Sequence, residues 1–479
     1  MLFKPLESLA GDRKGGDLRR RAVNDDEPRF RVGKVGGMAV DHEVPIVERL
    51  MQLFRHLGIT QVHVAGRLTA DWEDLAGMHP ELLASLTLIC PTDMPPPSLK
   101  ALASRLLVVT GDQGPAAEAV QKAAATLPEA TIVTLRDYFG HPRADVVADH
   151  AEAIGHTMLA FLARQEHEHD LKPSPLPEGE GEIAGITYCM HGDGPPLILL
   201  PLGLAPSQWD ALLPRLSARY RTIVLGGAAL GSVASLEARG RSTGYLGVVR
   251  SLIEETDLQP GEIILDVGCG TGVLDRWLVR RTHGANRLVA VDIHRTLLRE
   301  ARALASQEGL EGAITFQVGN AEALPFCDHS FDLVMSSTVM ELLDADQMLR
   351  EMVRVTKLGG RVAVVVRAVD LRSVVNLPLR AELKAKVEAL PNGVAGPRGC
   401  ADASLYRRFR HVGLDDVRMF PQWATYMDDT RLHGLQERLL AALSPAEVEE
   451  WRQAVEHAQN EGTFFVALPF HCAVGTKRG

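Results

Sequence analysis

The 479-residue chain has the length of roughly two to four domains and enough apolar residues to build a core in each. Its formal charge of −10 is spread without long blocks and leaves no basic stripe, which argues against a nucleic-acid partner. The six cysteines (90, 189, 269, 327, 400 and 472) form no C-x-x-C pair, so they read as reduced thiols of a cytoplasmic protein, with neither a disulfide framework nor a metal site.

Residues 1–37 are rich in Arg, Asp and Gly without an apolar period and read as a flexible arm; Met1-Leu2-Phe3-Lys4-Pro5 offers no signal-peptide core. A helical spacing begins at Ile46, Val47, Leu50, Leu53 and Leu57. From 58 to 162 strand and helix alternate, with strands at Gln61–Ala65, Leu86–Ile89, Leu106–Thr110 and Thr131–Leu135. This 38–165 region resembles the C-terminal half of an α/β-hydrolase, where a strand ends in the G-x-S-x-G elbow that exposes the nucleophile. Here the elbow reads Gly66-Arg67-Leu68-Thr69-Ala70, with leucine in the serine position. Gly111 stands where the acid is expected, beside Asp112, and only His141 keeps its place. A lone histidine cannot run the acyl-transfer cycle, so the resemblance implies a pseudo-hydrolase.

Residues 166–182 read as a Pro-rich linker, in which the His/acid run Glu166–Asp170 is a solvated tether. Residues 183–235 come next, with strands at Gly185–Tyr188, Pro196–Pro201 and Thr222–Leu225 and a helix carrying Trp209, Leu212, Leu213 and Leu216. The run from Pro196 to Pro206 is too short and too proline-broken to span a bilayer, and no membrane span is expected. This segment resembles the opening strands of an α/β-hydrolase, arriving after the closing ones. Either the two halves complete one circularly permuted sheet, or the second packs separately on the C-terminal region.

The remainder, 236–479, is organised around Ile263-Ile264-Leu265-Asp266-Val267-Gly268-Cys269-Gly270-Thr271-Gly272-Val273. An apolar run entering three alternating glycines, with a helical pattern after them, reads as a buried strand, a tight turn and a helix. That is the ligand end of a doubly wound sheet. A second strand, Leu288–Asp292, ends in an acid; a third leads to Gly319-Asn320-Ala321; a fourth is Phe331–Met335. A helix over 345–355, a Leu358-Gly359-Gly360 turn and a strand at Arg361–Val366 come next. The expected ending is a hairpin of Phe464–Ala467 with Cys472–Thr476.

The G-x-G-x-G spacing, Asp266 two residues before the first glycine, and the later strands together resemble the class I S-adenosylmethionine-dependent methyltransferases, close to the ubiquinone and menaquinone biosynthesis group. The resemblance implies a Rossmann-like seven-stranded α/β domain, S-adenosyl-L-methionine as cofactor and a small organic molecule as acceptor. It implies Asp292 on the ribose diol, Ile293 against the adenine face, and Asn320 and Ala321 at the adenine edge. It also implies Gly268 and Gly270 under the methionine tail, Asp266 and Ser336 near its ammonium, and Arg241 and Tyr245 near its carboxylate. Glu341 and His471 are candidates for a general base, without an assignment. Phe420, Trp423, Tyr426 and Phe464 either line an acceptor pocket or belong to the core. Two insertions, 370–401 and 427–462, are expected to lie over the acceptor, with a helix starting at Ser444-Pro445-Ala446-Glu447. A scaffold role, a residual esterase and a homo-oligomer are left open.

Overall fold

The computed structural model describes residues 46–67, 75–139, 145–166, 171, 178–227, 230–427, 439 and 442–478. The expected arm, residues 68–70 of the elbow, His141 and positions 167–170 lie outside these. Two eight-stranded sheets organise the described residues.

The first sheet contains β1 (Val62–Gly66), β2 (Leu83–Ile89), β3 (Leu106–Gln113), β4 (Thr131–Phe139), β5 (Gly179–Ile183), β6 (Ile186–His191), β7 (Pro196–Leu199) and β8 (Arg221–Gly226). Its order is β4-β3-β2-β1-β7-β8-β6-β5, and β6 alone runs against its neighbours. The central strands are buried along their length, as expected where helices cover both faces of a parallel sheet. On one face Val64, Leu86 and Leu88 meet Leu50 and Phe54 of α1 (Ile46–His56). The other face packs Ala65, Val109 and Leu199 on the helical segments α2 (Val146–Asp149) and α3 (Ala151–Glu166), through Val146, Ile154, Met158 and Phe161.

The two sequence segments therefore share one sheet, joined where His63, Val64 and Ala65 pair with Leu197, Ile198 and Leu199. The linker is shorter than expected, because 179–182 already belong to β5. The helix expected through Trp209 and Leu216 is split into a 3-10 turn, Pro206–Trp209, and a short helix, Leu213–Ser217. Pro214 lacks an N–H and suits only a first helical turn, so the helix restarts there.

The second sheet contains β9 (Ile263–Val267), β10 (Arg287–Asp292), β11 (Ile314–Val318), β12 (Phe331–Ser337), β13 (Thr356–Arg367), β14 (Val374–Val375), β15 (Leu414–Tyr426) and β16 (Val466–Lys477). Strands β11-β10-β9-β12-β13 are parallel, and β16 lies antiparallel beside β13. The expected terminal hairpin does not form. Residues 466–477 are one strand, paired along its length with β15 on one edge and with β13 and the short β14 on the other. Pro469 falls between the β14 and β13 pairings, a break where a strand tolerates a residue without an N–H.

The helices around this sheet include α4 (Ser232–Arg241), α5 (Thr243–Glu254), α6 (Val273–Arg281), α7 (Arg295–Gln307) and α8 (Ala345–Val355). The expected boundary at 236 falls inside α4. The two insertions carry α9 (Ala381–Glu388) and α10 (Pro445–Asn460), the latter opened by a capping box between Ser444 and Glu447. They bind each other through Lys386–Glu447 at 2.8 Å and Arg380–Glu450 at 2.8 Å. Their apolar sides, Leu383, Val387, Trp451 and Val455, join one core cluster with Phe464 and Val466 of the sheet. No helix among the described residues is long and apolar enough to cross a membrane.

Candidate functional site

Strand order reverses at β9, whose neighbours β10 and β12 lie on opposite sides, and an open sheet binds its ligand outside the carboxyl ends at such a point. A cavity of about 920 Å³ lies there, within the roughly 300–1,000 Å³ usual for small-molecule sites. Its floor is the turn after β9. The N–H groups of Gly268 and Cys269 both donate to the Val291 carbonyl, at 2.8 and 3.0 Å, which fastens the turn to β10. Gly268 has φ 82°, and a Cβ there would come within 2.3 Å of Val339 Cγ2, so no other residue fits without displacing a wall. Gly270, at φ 56°, would place a Cβ 3.7 Å from Leu236 Cδ1, itself a lining residue.

Asp292 ends β10 beside this turn. Its Oδ2 accepts from Gly270 N and its Oδ1 from His294 N, each at 2.9 Å, and the side chain lines the cavity. Asp266 lines it too, almost wholly buried, and hydrogen-bonds to the equally buried Asp275 of α6. Two carboxyl groups can share a hydrogen bond only with a proton between them. Burial, with Asp266 close by, holds the Asp275 carboxyl well above the usual carboxylate range. Burial also pushes Asp266 up to about 7, helped by the nearby Asp292 charge and opposed by the hydrogen bond from Asp275. The same burial and the three carboxylates raise the Cys269 thiol, so it is no nucleophile.

Arg276, fully buried, ties the turn to α4: Nη1 donates to the Thr271 carbonyl and Nη2 to Glu237 Oε2, both at 2.6 Å. Tyr245 of α5 is buried against the cavity, its hydroxyl 2.6 Å from Ser337 Oγ and the Arg239 guanidinium 5.0 Å from its ring centre. Thr338 lines the cavity at φ 58°, a strained conformation for a β-branched residue.

Of the residues expected from sequence, Tyr245, Asp266, Gly268, Gly270, Asp292, Ile293, Asn320 and Ala321 line this one cavity. Two do not. Arg241 is 60% exposed and paired with Glu237 and Glu308, whereas Arg239, two residues earlier, lines the cavity. The Ser336 hydroxyl donates to the Val267 carbonyl at 2.7 Å, and Ser337 lines the cavity instead. Neither candidate base is a lining residue. Buried Glu341 accepts from the Arg367 N–H at 2.6 Å and pairs with its guanidinium, and buried His471 lies 2.8 Å from Asp370 Oδ1.

The four aromatics are absent from the lining as well. Tyr426 and Phe464 are core, Phe420 packs against that core, and Trp423 on β15 is exposed. No described residue of either insertion lines the cavity; α2 of the first sheet contributes Asp145 and Asp149 to it, and α4 contributes Leu236, Arg239 and Gly240.

A parallel sheet closed by one antiparallel strand, with a glycine turn and a strand-end aspartate at its switch point, is similar to the sheet and site of the class I methyltransferases. Residues 264–360 match the family model described as a methyltransferase domain. The chain is 38% identical over 118 residues to the methyltransferase GfsG of Streptomyces halstedii, covering 24% of this chain and 42% of that one. It is 35% identical over 116 residues to the ubiquinone/menaquinone biosynthesis C-methyltransferase UbiE of Hydrogenovibrio crunogenus (24% and 46%), and 35% over 148 residues to that of Hahella chejuensis (29% and 59%). The chain thus spans about half the length of the curated relatives it matches.

Proposed function

We propose that the chain transfers a methyl group from S-adenosylmethionine to a small organic acceptor in this cavity. The Asp292 carboxylate carries the reading. Two backbone N–H groups fix its orientation, and a carboxylate keeps further lone pairs, which suit the adjacent hydroxyls of a ribose. The glycine turn supports it: a side chain at Gly270 would occupy cavity space beside Leu236, where a tail laid on the turn needs room. Ile293 and Ala321 give apolar contact for the adenine, with Asn320 at its edge. Asp266 is the acceptor for the tail's ammonium. Arg239, steadied over the Tyr245 ring, takes the carboxylate in place of Arg241, and Ser337 replaces Ser336 as the hydroxyl near the tail.

The bound cofactor supplies a methyl group already activated on a sulfonium, so the displacement depends chiefly on alignment with the acceptor. The chain's own residues orient and exclude water: the turn, the Asp292 anchor and the Tyr245–Ser337 pair do the first, and the apolar side chains of Leu236, Val339, Leu342 and Leu343 do the second.

The N-terminal sheet we read as a circularly permuted, degenerate α/β-hydrolase sheet. Counted from β5, its order is 1-2-4-3-5-6-7-8 with the second strand alone reversed, which is what transposing the closing strands ahead of the opening ones gives. Leucine at 68, in the nucleophile's position, argues against ester hydrolysis.

Calorimetric titration of the full chain with S-adenosylmethionine and S-adenosylhomocysteine tests the main reading. Saturable one-site binding is expected, weakened in Asp292→Asn. No heat and no thermal shift with either compound would overturn it.

A further inference from the structure

The cover expected from the two insertions is absent from the cavity, and a different part of the chain stands there. In the first sheet, α2 comes after β4, the Pro206–Trp209 turn after β7, and α4 after β8. All three therefore leave the carboxyl ends of parallel strands, and all three meet the cavity or α7, the helix that opens directly after Asp292-Ile293-His294. Asp145 and Asp149, at the ends of the α2 segment, are lining residues, as are His294, Arg295 and Leu297 at the start of α7.

Between them runs a set of polar bonds. Arg299 of α7 reaches Asp145 Oδ2 at 3.1 Å and the Ser207 carbonyl at 3.3 Å, so one guanidinium holds two loops of the first sheet. The same guanidinium lies 3.3 Å from Thr296 Oγ1 in its own first turn. The Asp145 side chain is nine-tenths buried and Arg299 is 39% exposed, so the contact is half-buried, and its further bond to the Ser207 carbonyl places it above an ordinary surface pair. Arg295 adds a looser pairing to Asp149 at 3.8 Å.

We infer that the Asp145–Arg299 clasp makes the N-terminal sheet the wall that closes the nucleoside end of the cavity, so that affinity for an adenosyl ligand depends on a residue of the other sheet. The inference rests on the reading of the cavity as a donor site. Its mechanism is local. Ile293 and the His294 N–H that orients Asp292 lead directly into the first turn of α7, and the clasp, through Arg299 and its contact with Thr296, fixes that turn from outside. Asp145 and Arg299 are positioning residues.

By linkage, a ligand that needs the turn in place must in return strengthen the docking of α2. In the wild-type full chain, S-adenosylhomocysteine is then expected to slow amide hydrogen exchange across residues 145–166, which line no part of the glycine turn.

The mutational test uses S-adenosylhomocysteine and 5′-methylthioadenosine, which share the nucleoside and differ in the amino-acid tail. Asp145→Asn and Arg299→Met should each weaken both ligands by the same factor, about tenfold, the order of coupling between contacting charged residues. The exchanged pair Asp145→Arg with Arg299→Asp should recover part of that loss. A defect in the tail subsite would behave differently: Asp266→Asn should weaken S-adenosylhomocysteine and leave methylthioadenosine unchanged.

Wild-type affinity for both ligands in the two single variants would overturn the clasp while leaving the donor site standing. Unaltered exchange over 145–166 on ligand binding would overturn it without any substitution. Failure of the wild-type chain to bind either ligand would remove the donor site and the clasp together.

Discussion

Asp266 offers the sharpest test of the site's electrostatics, because its effect can be read without any ligand. The unfolded chain ionises this carboxyl near 3.8, and the folded chain holds its proton up to about 7. A raised acid pKa stabilises the folded state most fully below the unfolded value, and that contribution is lost as pH climbs through the folded value. Each pH unit in the window costs about 1.4 kcal/mol. Because the carboxyl is still half protonated at pH 7, this rise removes about 2 kcal/mol of stability between pH 5 and pH 7, and above 7 the loss levels off.

Asp275 adds a slope of the same sign, so the wild-type curve mixes the two. Asp266→Asn removes one member of the pair and eases the other, whose rise depends partly on the Asp266 carboxyl. The amide keeps the shape and never ionises, so urea unfolding at pH 5, 6, 7 and 8 should show the variant gaining at least about 2 kcal/mol on wild type between pH 5 and 7, then running nearly parallel. The value at pH 5 depends on how the amide meets Asp275 and is not diagnostic; the slope is. If the two curves stay parallel from pH 5 to 8, Asp266 is ionised throughout and the shared-proton account is wrong.

Other substitutions separate the cavity from its surroundings. Gly268→Ala should cost about 1–3 kcal/mol and weaken S-adenosylhomocysteine, since the new methyl must push stiff, β-branched Val339; a wild-type melting temperature and affinity would show that the turn has slack. Arg241→Ala should change stability by less than about 1 kcal/mol and leave affinity untouched, while Arg239→Ala weakens S-adenosylhomocysteine; the reverse ranking in calorimetry would restore the sequence expectation. Glu341→Gln should destabilise by about 1–2 kcal/mol, because it removes the charge that faces the partly exposed Arg367 while an amide still accepts its hydrogen bond, with ligand affinity unchanged in the folded fraction. A stable variant that binds normally and fails only in turnover would return Glu341 to candidacy as a base.

What the sequence made legible was local. The strand, turn and helix from Ile263 to Arg281 and the acid at Asp292 are contiguous signals, and both the buried run and the glycine spacing survive without tertiary information. Where facing decides the outcome, the chain is silent. Arg239 and Arg241 differ by two residues, which on a helix is about 200° of rotation, so one enters the cavity and the other meets Glu237 and Glu308. Ser336 and Ser337 are adjacent on a strand and point to opposite faces. Leu468-Pro469 looks like a turn because proline usually breaks a strand; only the gap between two partner strands makes it tolerable in β16. The insertions misled because an amphipathic helix states that it covers something apolar without stating what. Here α9 and α10 pack with each other and with the β16 end of the sheet, away from the cavity.

The N-terminal half was the least legible part, and it is reached from the cavity by two separate routes. One runs along the backbone: β8 leads into α4, whose Glu237 holds Arg276, which in turn holds the Thr271 carbonyl of the glycine turn. The other runs through space, from the α2 segment to α7, across a separation of 154 residues between Asp145 and Arg299. The first route fixes the floor under the tail and the second fixes the wall beside the nucleoside. Buried Arg276 pairs with Glu237 of α4 at 2.6 Å and with Glu308 at 3.0 Å, so removing α4 along with the first sheet would take one of its two acids and the tie to the turn's neighbour, as well as open the wall. On this argument a chain cut between the two sheets loses more than a neighbour. Its C-terminal half keeps the glycine turn and Asp292 and lacks the supports that hold them in place.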